Sequence, residues 1–181
     1  SDLLSDSSDK LYFTNIMKNI FWFILILILV CCYIGFIYLS IRNAWKAKQE
    51  SYRFLREAWL NLVNLFPYLK AAIIRYDLSK QISFPKIEPC FQTPMDETLM
   101  EQKLTEYLTL QKTVQKLQQT ITQHPVLQQA QSLKDLQGDL EKSFNELDKN
   151  WYIYRCAADR YTQITSCRLG RILQQIVEKP E

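Results

Sequence analysis

The segment IFWFILILILVCCYIGFIYLSI, from Ile20 to Ile41, places 22 residues in a row without a charged side chain. An α-helix rises 1.5 Å per residue, so this run is about 33 Å long and covers a hydrocarbon core of about 30 Å. Every face of the helix is apolar, whereas a surface helix of a soluble domain has a polar face. A cleaved signal peptide is the alternative, but its apolar core is shorter and ends at a small-x-small cleavage site. The run predicts a transmembrane helix over residues 20–41.

Basic residues are concentrated directly after this run. Residues 1–19 contain Lys10 and Lys18 together with three aspartates, whereas the 15 residues after the run contain five basic side chains and one acid, Glu50. The five are Arg42, Lys46, Lys48, Arg53 and Arg56. Because cytoplasmic flanks are enriched in Lys and Arg, we expect residues 1–19 outside and residues 42–181 in the cytoplasm. The cluster is either a topology signal alone or also a binding surface for anionic membrane lipids.

Composition predicts an all-α fold. Glycine occurs only three times, while Gln, Leu, Lys and Glu, which favour helices, are abundant. The five cysteines are Cys31, Cys32, Cys90, Cys156 and Cys167. They form no CxxC pair, and an odd, scattered set argues against a disulfide framework and fits a reducing compartment. The residues after the run, about 140 in number, suit one cytoplasmic helical domain.

The first cytoplasmic helix continues the membrane helix, because residues 42–66 contain no Gly or Pro. Its apolar residues recur at steps of three and four and define one face. They are Tyr52, Leu55, Trp59, Leu62, Val63 and Phe66. Pro67 removes a backbone donor and crowds the preceding turn, so it kinks or ends the helix. Because the apolar face resumes at Leu69, Ile73 and Ile74, we expect a kink.

A loop and a second helix follow. Residues 81–96 contain three prolines and predict the loop. The second helix runs from about Glu97 to Thr122, and Thr93 or Asp96 is in position to cap its start. Its apolar residues have the spacing of a buried stripe. The stripe consists of Met100, Leu104, Tyr107, Leu110, Val114, Leu117 and Ile121.

A third helix begins at Pro125, a residue suited to the first helical position, and has coiled-coil spacing. Its apolar residues are Leu133, Leu136, Leu140, Phe144, Leu147, Trp151, Tyr154, Ala158 and Tyr161. If it continues to Val177, it is about 80 Å long, twice the length of the second helix. The pattern predicts an antiparallel bundle of three to four long helices. The excess length of the third helix is unpartnered, packs on the first helix, or packs on another subunit in a homo-oligomer.

Catalytic and metal-binding motifs are absent from the sequence. His124 is the only histidine, and its position beside Pro125 indicates a helix cap. There is no HExxH, no GxSxG, no phosphate-binding glycine loop and no paired Cys or His metal site. Carboxylates that indicate a solvated face are Glu101, Glu106, Asp135, Asp139 and Glu141. The sequence predicts a protein that is not an enzyme and has no cofactor or metal.

The end of the third helix carries a candidate partner surface. Its residues are Tyr152, Arg155, Arg160, Arg168 and Arg171. Nucleic-acid binding requires exposed aromatic rings between such charges, whereas Trp151, Tyr154 and Tyr161 lie on the apolar seam. We therefore expect no nucleic-acid partner, and a lipid headgroup or an acidic protein surface instead. Tyr152 lies off the seam and is either a half-buried edge residue or an exposed partner contact.

Three motifs, LFPYL, HPVLQQAQSLKDLQGDL and YRCAADRYTQI, follow the membrane helix in this order. Over residues 52–164 the chain resembles the LemA family, whose motifs are L-I-P-N-L, Y-P-x-L with a following L-x-x-L-Q-x-x-L, and Y-N-x-x-V-x-x-Y-N. The matching residues are Leu65, Pro67 and Leu69, then Pro125, Leu127, Leu133, Leu136, Gln137 and Leu140, then Tyr154 and Tyr161. The departures are at polar positions of the family, where this chain has Asn61, Leu62, Asn64, Phe144, Trp151, Arg155 and Thr162. The resemblance thus supports the fold better than any shared polar site.

The resemblance implies a single-pass bacterial inner-membrane protein with a cytoplasmic antiparallel helical bundle and no established enzymatic activity. One branch of the family, the magnetosome protein MamQ, is associated with an intracellular membrane compartment, which implies a role in membrane organisation. We therefore expect a non-enzymatic scaffold that organises partner proteins or membrane at the cytoplasmic face. The alternatives are a dedicated structural subunit of a larger envelope complex, such as a secretion system, and an enzyme.

Overall fold

The computed structural model describes residues 2–78, 88–92 and 95–178, with side chains from residue 16 onward except at 91 and 92. These residues form helices and short connections and contain no strand, so the predicted all-α class is confirmed. The helices are α1 (Asp2–Asn64), α2 (Phe66–Arg75), α3 (Glu88–Gln92), α4 (Met100–Gln123), α5 (Pro125–Gln128), α6 (Gln131–Thr165) and α7 (Arg168–Val177). A single 3-10 turn, Glu97–Leu99, leads directly into α4.

The chain forms two compact units. The first unit consists of residues 1–46 and 160–181, and the second unit consists of residues 47–159. The predicted domain boundary after residue 41 is the end of the apolar run. The first unit does not end there, because it includes the next five residues and the whole of α7. The long helices α1 and α6 each contribute residues to both units.

Helix α1 continues through the apolar run and the basic segment without a break, as predicted. Among the described residues, this N-terminal helix is the one long and apolar enough to cross a membrane by length and composition. Large apolar side chains between Ile16 and Phe36 are exposed around the helix. Burial begins with the partly buried Ile37 and Tyr38 and is complete at Ile41. The apolar run thus carries a surface that no described part of the chain covers.

The kink expected at Pro67 is a one-residue interruption between α1 and α2. Leu65 keeps helical dihedral angles, φ −82° and ψ −12°, and its amide donates to the Leu62 carbonyl over 3.1 Å. Pro67 lies in the first turn of α2, where an amide has no intrahelical acceptor, so its missing donor costs nothing there. The Leu69 amide donates to the Leu65 carbonyl at 3.0 Å, so the helix resumes at once.

The loop predicted over residues 81–96 lies partly outside the described residues. The prediction of a loop is wrong at Glu88–Gln92, because these residues form the short helix α3. Proline is tolerated there because Pro89 falls in the first turn of this helix. The predicted cap at Asp96 is confirmed, since its Oδ1 accepts from the Thr98 amide at 3.0 Å. Thr93, the other predicted cap, lies outside the described residues.

Helix α4 departs from its predicted buried stripe at Leu104 and Lys103, and the polar Thr120 is buried as well. Leu104 is 39% exposed, whereas the neighbouring Lys103 is 0% exposed. The lysine is buried because a carboxylate and an aromatic ring lie beside its ammonium, as described below. The rest of the stripe packs as predicted: Met100 is partly buried, and Tyr107, Leu110, Val114, Leu117 and Ile121 are buried.

The third helix, which begins at Pro125 as predicted, does not continue to Val177, because the chain forms three helices there. Gln129 and Ala130 separate α5 from α6, and Ser166 and Cys167 separate α6 from α7. Cys167 is extended, with φ −74° and ψ 155°, and its Sγ accepts from the amide of Gly170 over 3.2 Å, as an N-cap does. Both interruptions are only two residues long. The spacing of the apolar residues continues on either side of them, so the sequence pattern does not show where the helix breaks.

The hydrophobic core of the second unit is built from α1, α2, α4 and α6. The heptad residues provide the α6 side of this core: Leu133, Leu136, Leu140, Phe144, Leu147 and Tyr154 are buried, and Trp151 and Ala158 are partly buried. The Tyr52 and Tyr154 ring centroids are 5.9 Å apart, and the Tyr76 hydroxyl lies 3.0 Å from that of Ser132. Within this unit α6 therefore runs antiparallel to α1 and α2.

A smaller core in the first unit joins the end of the apolar run to α7. Its buried members are Ile41, Ala44, Tyr161 and Leu173, and around them lie Ile37, Tyr38, Trp45, Ile164, Leu169 and Val177. The Trp45 and Tyr161 ring centroids are 5.3 Å apart. Gly170 permits the close approach of α7 to the end of α6. A Cβ at this position would lie 2.6 Å from the Ile164 carbonyl oxygen and 3.0 Å from Cys167 Sγ.

Replacing Gly170 with alanine is expected to destabilise the first unit by about 1–3 kcal/mol, because the added methyl meets a backbone oxygen that has no room to move. The matched control is Gly138→Ala in the interior of α6, where an added Cβ would meet nothing within 4 Å. This control should be stabilising by up to about 1 kcal/mol, since alanine favours helix over glycine. Thermal unfolding of both variants in detergent measures the difference, and equal shifts would contradict the packing role of Gly170.

Candidate functional site

The predicted membrane-proximal basic residues divide between the two units. In the first unit Arg42 and Lys46 are exposed and four residues apart, so they share one face of α1. In the second unit Arg53 and Arg56 are exposed, and Arg53 Nε lies 3.8 Å from a carboxylate oxygen of Glu57. An exposed pair of this kind leaves both charges in water. These four cations present positive charge to the surroundings of α1.

Lys48, the fifth predicted cation, belongs instead to a polar cluster of the second unit. Its Nζ lies 2.6 Å from Glu97 Oε1, and the same oxygen accepts from the Tyr154 hydroxyl at 2.9 Å. Nearby, the Tyr52 hydroxyl donates to the Met95 carbonyl at 2.9 Å. The cluster joins α1, the turn before α4 and α6. Lys48 is therefore paired within the protein, because the Glu97 carboxylate lies at salt-bridge distance from its ammonium.

Three tyrosine hydroxyls donate to carboxylates. Burial in the first place, and then the hydrogen bond to a carboxylate, raises the pKa of each tyrosine above its ordinary value of 10.0. Ionisation would place a desolvated phenolate against a negative charge, so the neutral form is favoured. The pairs are Tyr107 with Asp148 and Tyr154 with Glu97 in the second unit, and Tyr161 with Glu178 in the first. These pairs could not be predicted from local patterns, because their partners lie 17 to 57 residues apart along the chain.

A buried charged pair lies on α4 in the second unit. Lys103 Nζ is 2.6 Å from Glu106 Oε2 and 4.8 Å from the Trp59 ring centroid. Glu106 was predicted on the solvated face, but its side chain is largely buried because it is the partner of a fully buried lysine. Burying an ammonium is costly without a carboxylate close by, so this pair constrains how α4 sits against α1.

A groove of about 600 Å³ lies between α2 and α6 in the second unit. Ala72 and Leu136 contribute apolar surface to it, while Arg75, Asp135 and Asp139 contribute charges of both signs. Its volume lies within the range of protein binding sites, about 300–1,000 Å³. Asp135 and Asp139 are exposed, as predicted for a solvated face. The sequence could not show the groove, because its two walls are separated by about 60 residues of chain.

Two tyrosines border this groove. The Tyr76 hydroxyl is within hydrogen-bond distance of that of Ser132, and the Arg75 guanidinium lies 5.6 Å from the Tyr76 ring centroid. Tyr68 also lines the groove and is exposed. The groove therefore offers apolar contact, aromatic faces and ion pairing in one place. This combination suits the side chains of a protein segment.

The predicted partner surface at the end of the third helix is exposed but divided. Tyr152 and Arg155 lie on α6 in the second unit, whereas Arg160, Arg168 and Arg171 belong to the first unit. Tyr152 is 71% exposed, so it is not a half-buried edge residue. Because α6 ends at Thr165, Arg168 and Arg171 lie on a separate helix, α7.

The remaining predicted sites show no chemistry of their own. His124 is the N-cap residue of α5, as predicted, but the cap is made by its backbone: its side chain makes no cap hydrogen bond, and its carbonyl accepts from the amides of Leu127 and Gln128. Burial raises the pKa of the Cys90 thiol. In the part of the chain that the structure describes, no three His, Cys, Asp or Glu side chains come together as a metal-binding group.

The residues that carry the family resemblance occupy packing positions. Buried residues among them are Leu69, Leu133, Leu136, Leu140, Tyr154 and Tyr161. Leu65 and Leu127 are partly buried, and Pro67 and Pro125 lie in the first turns of α2 and α5. Each motif thus contributes to packing or to a helix start.

Comparison with known proteins gives no match to a family model, to a curated protein or to a solved structure. The fold defines the class, an all-helical protein with one N-terminal helix that is long and apolar enough for a membrane. Within that class, the LemA resemblance rests on the three motifs and stays a prediction.

Stability is expected to fall in alkaline solution. The three paired tyrosines have raised pKa values, so the folded state holds their protons more tightly than the unfolded state does. Their contribution is fully present below the unfolded-state pKa near 10 and is lost as the pH rises beyond it. Thermal unfolding followed from about pH 8 to about pH 11 should show this loss, and Tyr154→Phe should make it smaller. Tyr68→Phe, which removes an exposed hydroxyl, is the control, and an equal effect of both variants would refute the assignment.

Removing the carboxylate partner of Lys103 is expected to destabilise the protein. Glu106→Gln leaves a buried ammonium without its counter-charge and should lower the free energy of unfolding by about 3 kcal/mol. Glu101→Gln, an exposed carboxylate on the same helix, should change it by less than about 0.5 kcal/mol. The double variant Lys103→Met, Glu106→Gln should recover most of the loss, because no buried charge remains. Chemical denaturation measures all three, and a loss unchanged in the double variant would argue against a charge effect.

Proposed function

We propose that this protein is a non-enzymatic, membrane-anchored helical scaffold that organises partner proteins or membrane at the cytoplasmic face of a bacterial inner membrane. The observation that carries the proposal is the exposed apolar surface of α1 between Ile16 and Phe36. Soluble monomers rarely expose a contiguous apolar patch larger than a few hundred Å². Lipid tails cover such a surface on every side, and the backbone of a helix needs no water for its hydrogen bonds.

The distribution of charge supports the proposed orientation. On the C-terminal side of the apolar run, the exposed cations of the first unit are Arg42, Lys46, Arg160, Arg168 and Arg171, whereas Lys18 lies on the N-terminal side. The five C-terminal cations belong to the same unit as the end of the apolar run, and positive residues at one end of a membrane helix favour the cytoplasmic side. The N-terminus is then outside, and the second unit is cytoplasmic. Anionic lipid headgroups are the natural counter-charges of this cluster.

The proposed cytoplasmic fold is an antiparallel, LemA-like bundle. Supporting it, the seam residues of α6 are buried in the second unit and α6 runs antiparallel to α1 and α2 there. The motif residues lie at packing positions. These are the positions at which the recurring apolar residues of a family are expected.

The groove between α2 and α6 is the proposed partner site. A segment with apolar residues flanked by charges of both signs would find apolar contact at Leu136 and ion pairs with Arg75 and Asp139. A scaffold with changing partners and a dedicated subunit of an envelope complex both use such a groove. The two alternatives differ in how many different proteins bind in the groove and in the stoichiometry of binding.

Photocrosslinking from the groove tests the partner site. A benzophenone amino acid replaces Tyr68 or Asp139 in the intact protein in its membrane, and the control is Glu141, an exposed residue of α6 that does not line the groove. Two residues along a helix correspond to about 200° of rotation, so Glu141 faces away from Asp139. We expect defined cytoplasmic proteins to be crosslinked from positions 68 and 139 and not from 141.

The crosslinked products separate the alternatives. Several partners would support a scaffold, whereas one set of envelope proteins in fixed proportion would support a dedicated structural subunit. Copies of this chain alone would indicate a self-assembling membrane organiser. The same products from all three positions, or none, would show that the groove is not a partner site.

A further inference from the structure

Helix α7 has an apolar stripe that the first unit leaves uncovered. Gly170 and Leu173 are buried against the unit, whereas Ile172 is 62% and Ile176 is 57% exposed. The two isoleucines are four residues apart, so they lie one above the other on the helix. The stripe adjoins the packed face, because each position is about 100° from the next in sequence.

The packing of α7 places this stripe beside the end of the apolar run. Leu173 lies in one hydrophobic cluster with Ile41, and the partly buried Ile37 and Tyr38 belong to the same cluster. Ile37, Tyr38 and Ile41 form the last turns of the 22-residue apolar run, directly before Arg42. On α1 the neighbouring Leu39 is exposed. If α1 spans a bilayer, this level corresponds to the boundary between acyl chains and headgroups.

The charges of α7 match an anionic surface. Arg168 and Arg171 are exposed, and the sequence RLGRILQQIV contains no acidic residue. Arg168 precedes Ile172 by one helical turn, so a guanidinium lies next to the apolar stripe. Glu178, just after the helix, accepts hydrogen bonds from Tyr161 and Gln174. Cations bordering an apolar stripe are typical of helices that lie in the plane of a membrane surface.

We propose that α7 is an interfacial helix on the cytoplasmic leaflet, with Ile172 and Ile176 at the acyl boundary and Arg168 and Arg171 on the phosphates of anionic lipids. The inference rests on the proposed membrane anchor and extends it by a second membrane contact through the last described helix. Two contacts, one spanning and one lateral, restrict the rotation and tilt of α1 in the bilayer. The lateral contact also explains why α7 has apolar residues that the first unit does not bury.

Spin labels on the full chain test the proposal. The native cysteines are replaced by serine, which at Cys167 retains a helix-capping side chain. Single cysteines are then introduced as Ile172→Cys, Ile176→Cys and, as the polar control on the same helix, Gln175→Cys. A fourth variant, Leu27→Cys, reports on the middle of the apolar run. The protein is reconstituted in vesicles of phosphatidylcholine and phosphatidylglycerol, and collision rates with oxygen and with an aqueous nickel chelate are compared.

We expect labels at 172, 176 and 27 to collide more with oxygen than with the nickel chelate, and the label at 175 to show the reverse. In vesicles of phosphatidylcholine alone, the preference at 172 and 176 should decrease, because the arginines lose their anionic partners. An unchanged preference would overturn the assignment of Arg168 and Arg171 to lipid phosphates.

The label at position 27 separates this inference from the proposed anchor. Lipid exposure at 27 with aqueous exposure at 172 and 176 would overturn the interfacial helix and leave the anchor intact. Aqueous exposure at 27 would overturn both. Spin–spin broadening at 172 or 176 would show that a second copy of the chain covers the stripe, and would likewise overturn the inference.

Hydrogen exchange on the unsubstituted protein tests the lipid contact of α7 if the serine background does not fold. Amides of residues 168–177 should exchange more slowly in vesicles containing phosphatidylglycerol than in phosphatidylcholine alone. Equal rates would count against the lipid contact of α7.

Discussion

The rest of the structure depends on one long helix that carries two different surfaces. Helix α1 is apolar on all sides over the run at residues 20–41 and apolar on one face after residue 46. A helix satisfies its own backbone hydrogen bonds, so the same backbone serves both surroundings. Only the side chains change, from an exposed apolar surface to a face that packs in the core of the second unit. The lack of Gly and Pro over residues 42–66 keeps the helix continuous through this change.

Polar groups, more than apolar ones, determine how the shorter segments attach to α1. Lys48 and Glu97 hold the turn before α4 against α1, and Tyr154 brings α6 to the same carboxylate. Lys103 lies against Trp59 with the Glu106 carboxylate beside its ammonium. Apolar packing tolerates several registers of one helix against another, whereas a buried ion pair or hydrogen bond tolerates few. These contacts therefore specify the arrangement that the apolar faces leave open.

The elements that could be predicted were those with a local cause. The α6 seam, the kink at Pro67 and the cap at Asp96 each follow from the residues within a turn or two. The two breaks in the third helix were missed because they leave the apolar spacing intact. Lys103 was missed because lysine is rarely buried, and its burial depends on Trp59, 44 positions earlier in the chain. The resemblance to the LemA family identified packing residues and left the groove and the polar clusters unassigned.

The sequence by itself determined the helical class, the membrane-length apolar run and the face that each long helix buries. These properties depend on the composition and periodicity of single segments, which a chain shows directly. The tertiary structure decided which faces meet. It formed the groove from α2 and α6, brought Lys48 to Glu97, and packed α7 on the end of the apolar run. Periodicity shows that a face is buried but not which surface covers it. The covering surface lies tens of residues away in the chain and is selected by the complementarity of the two surfaces.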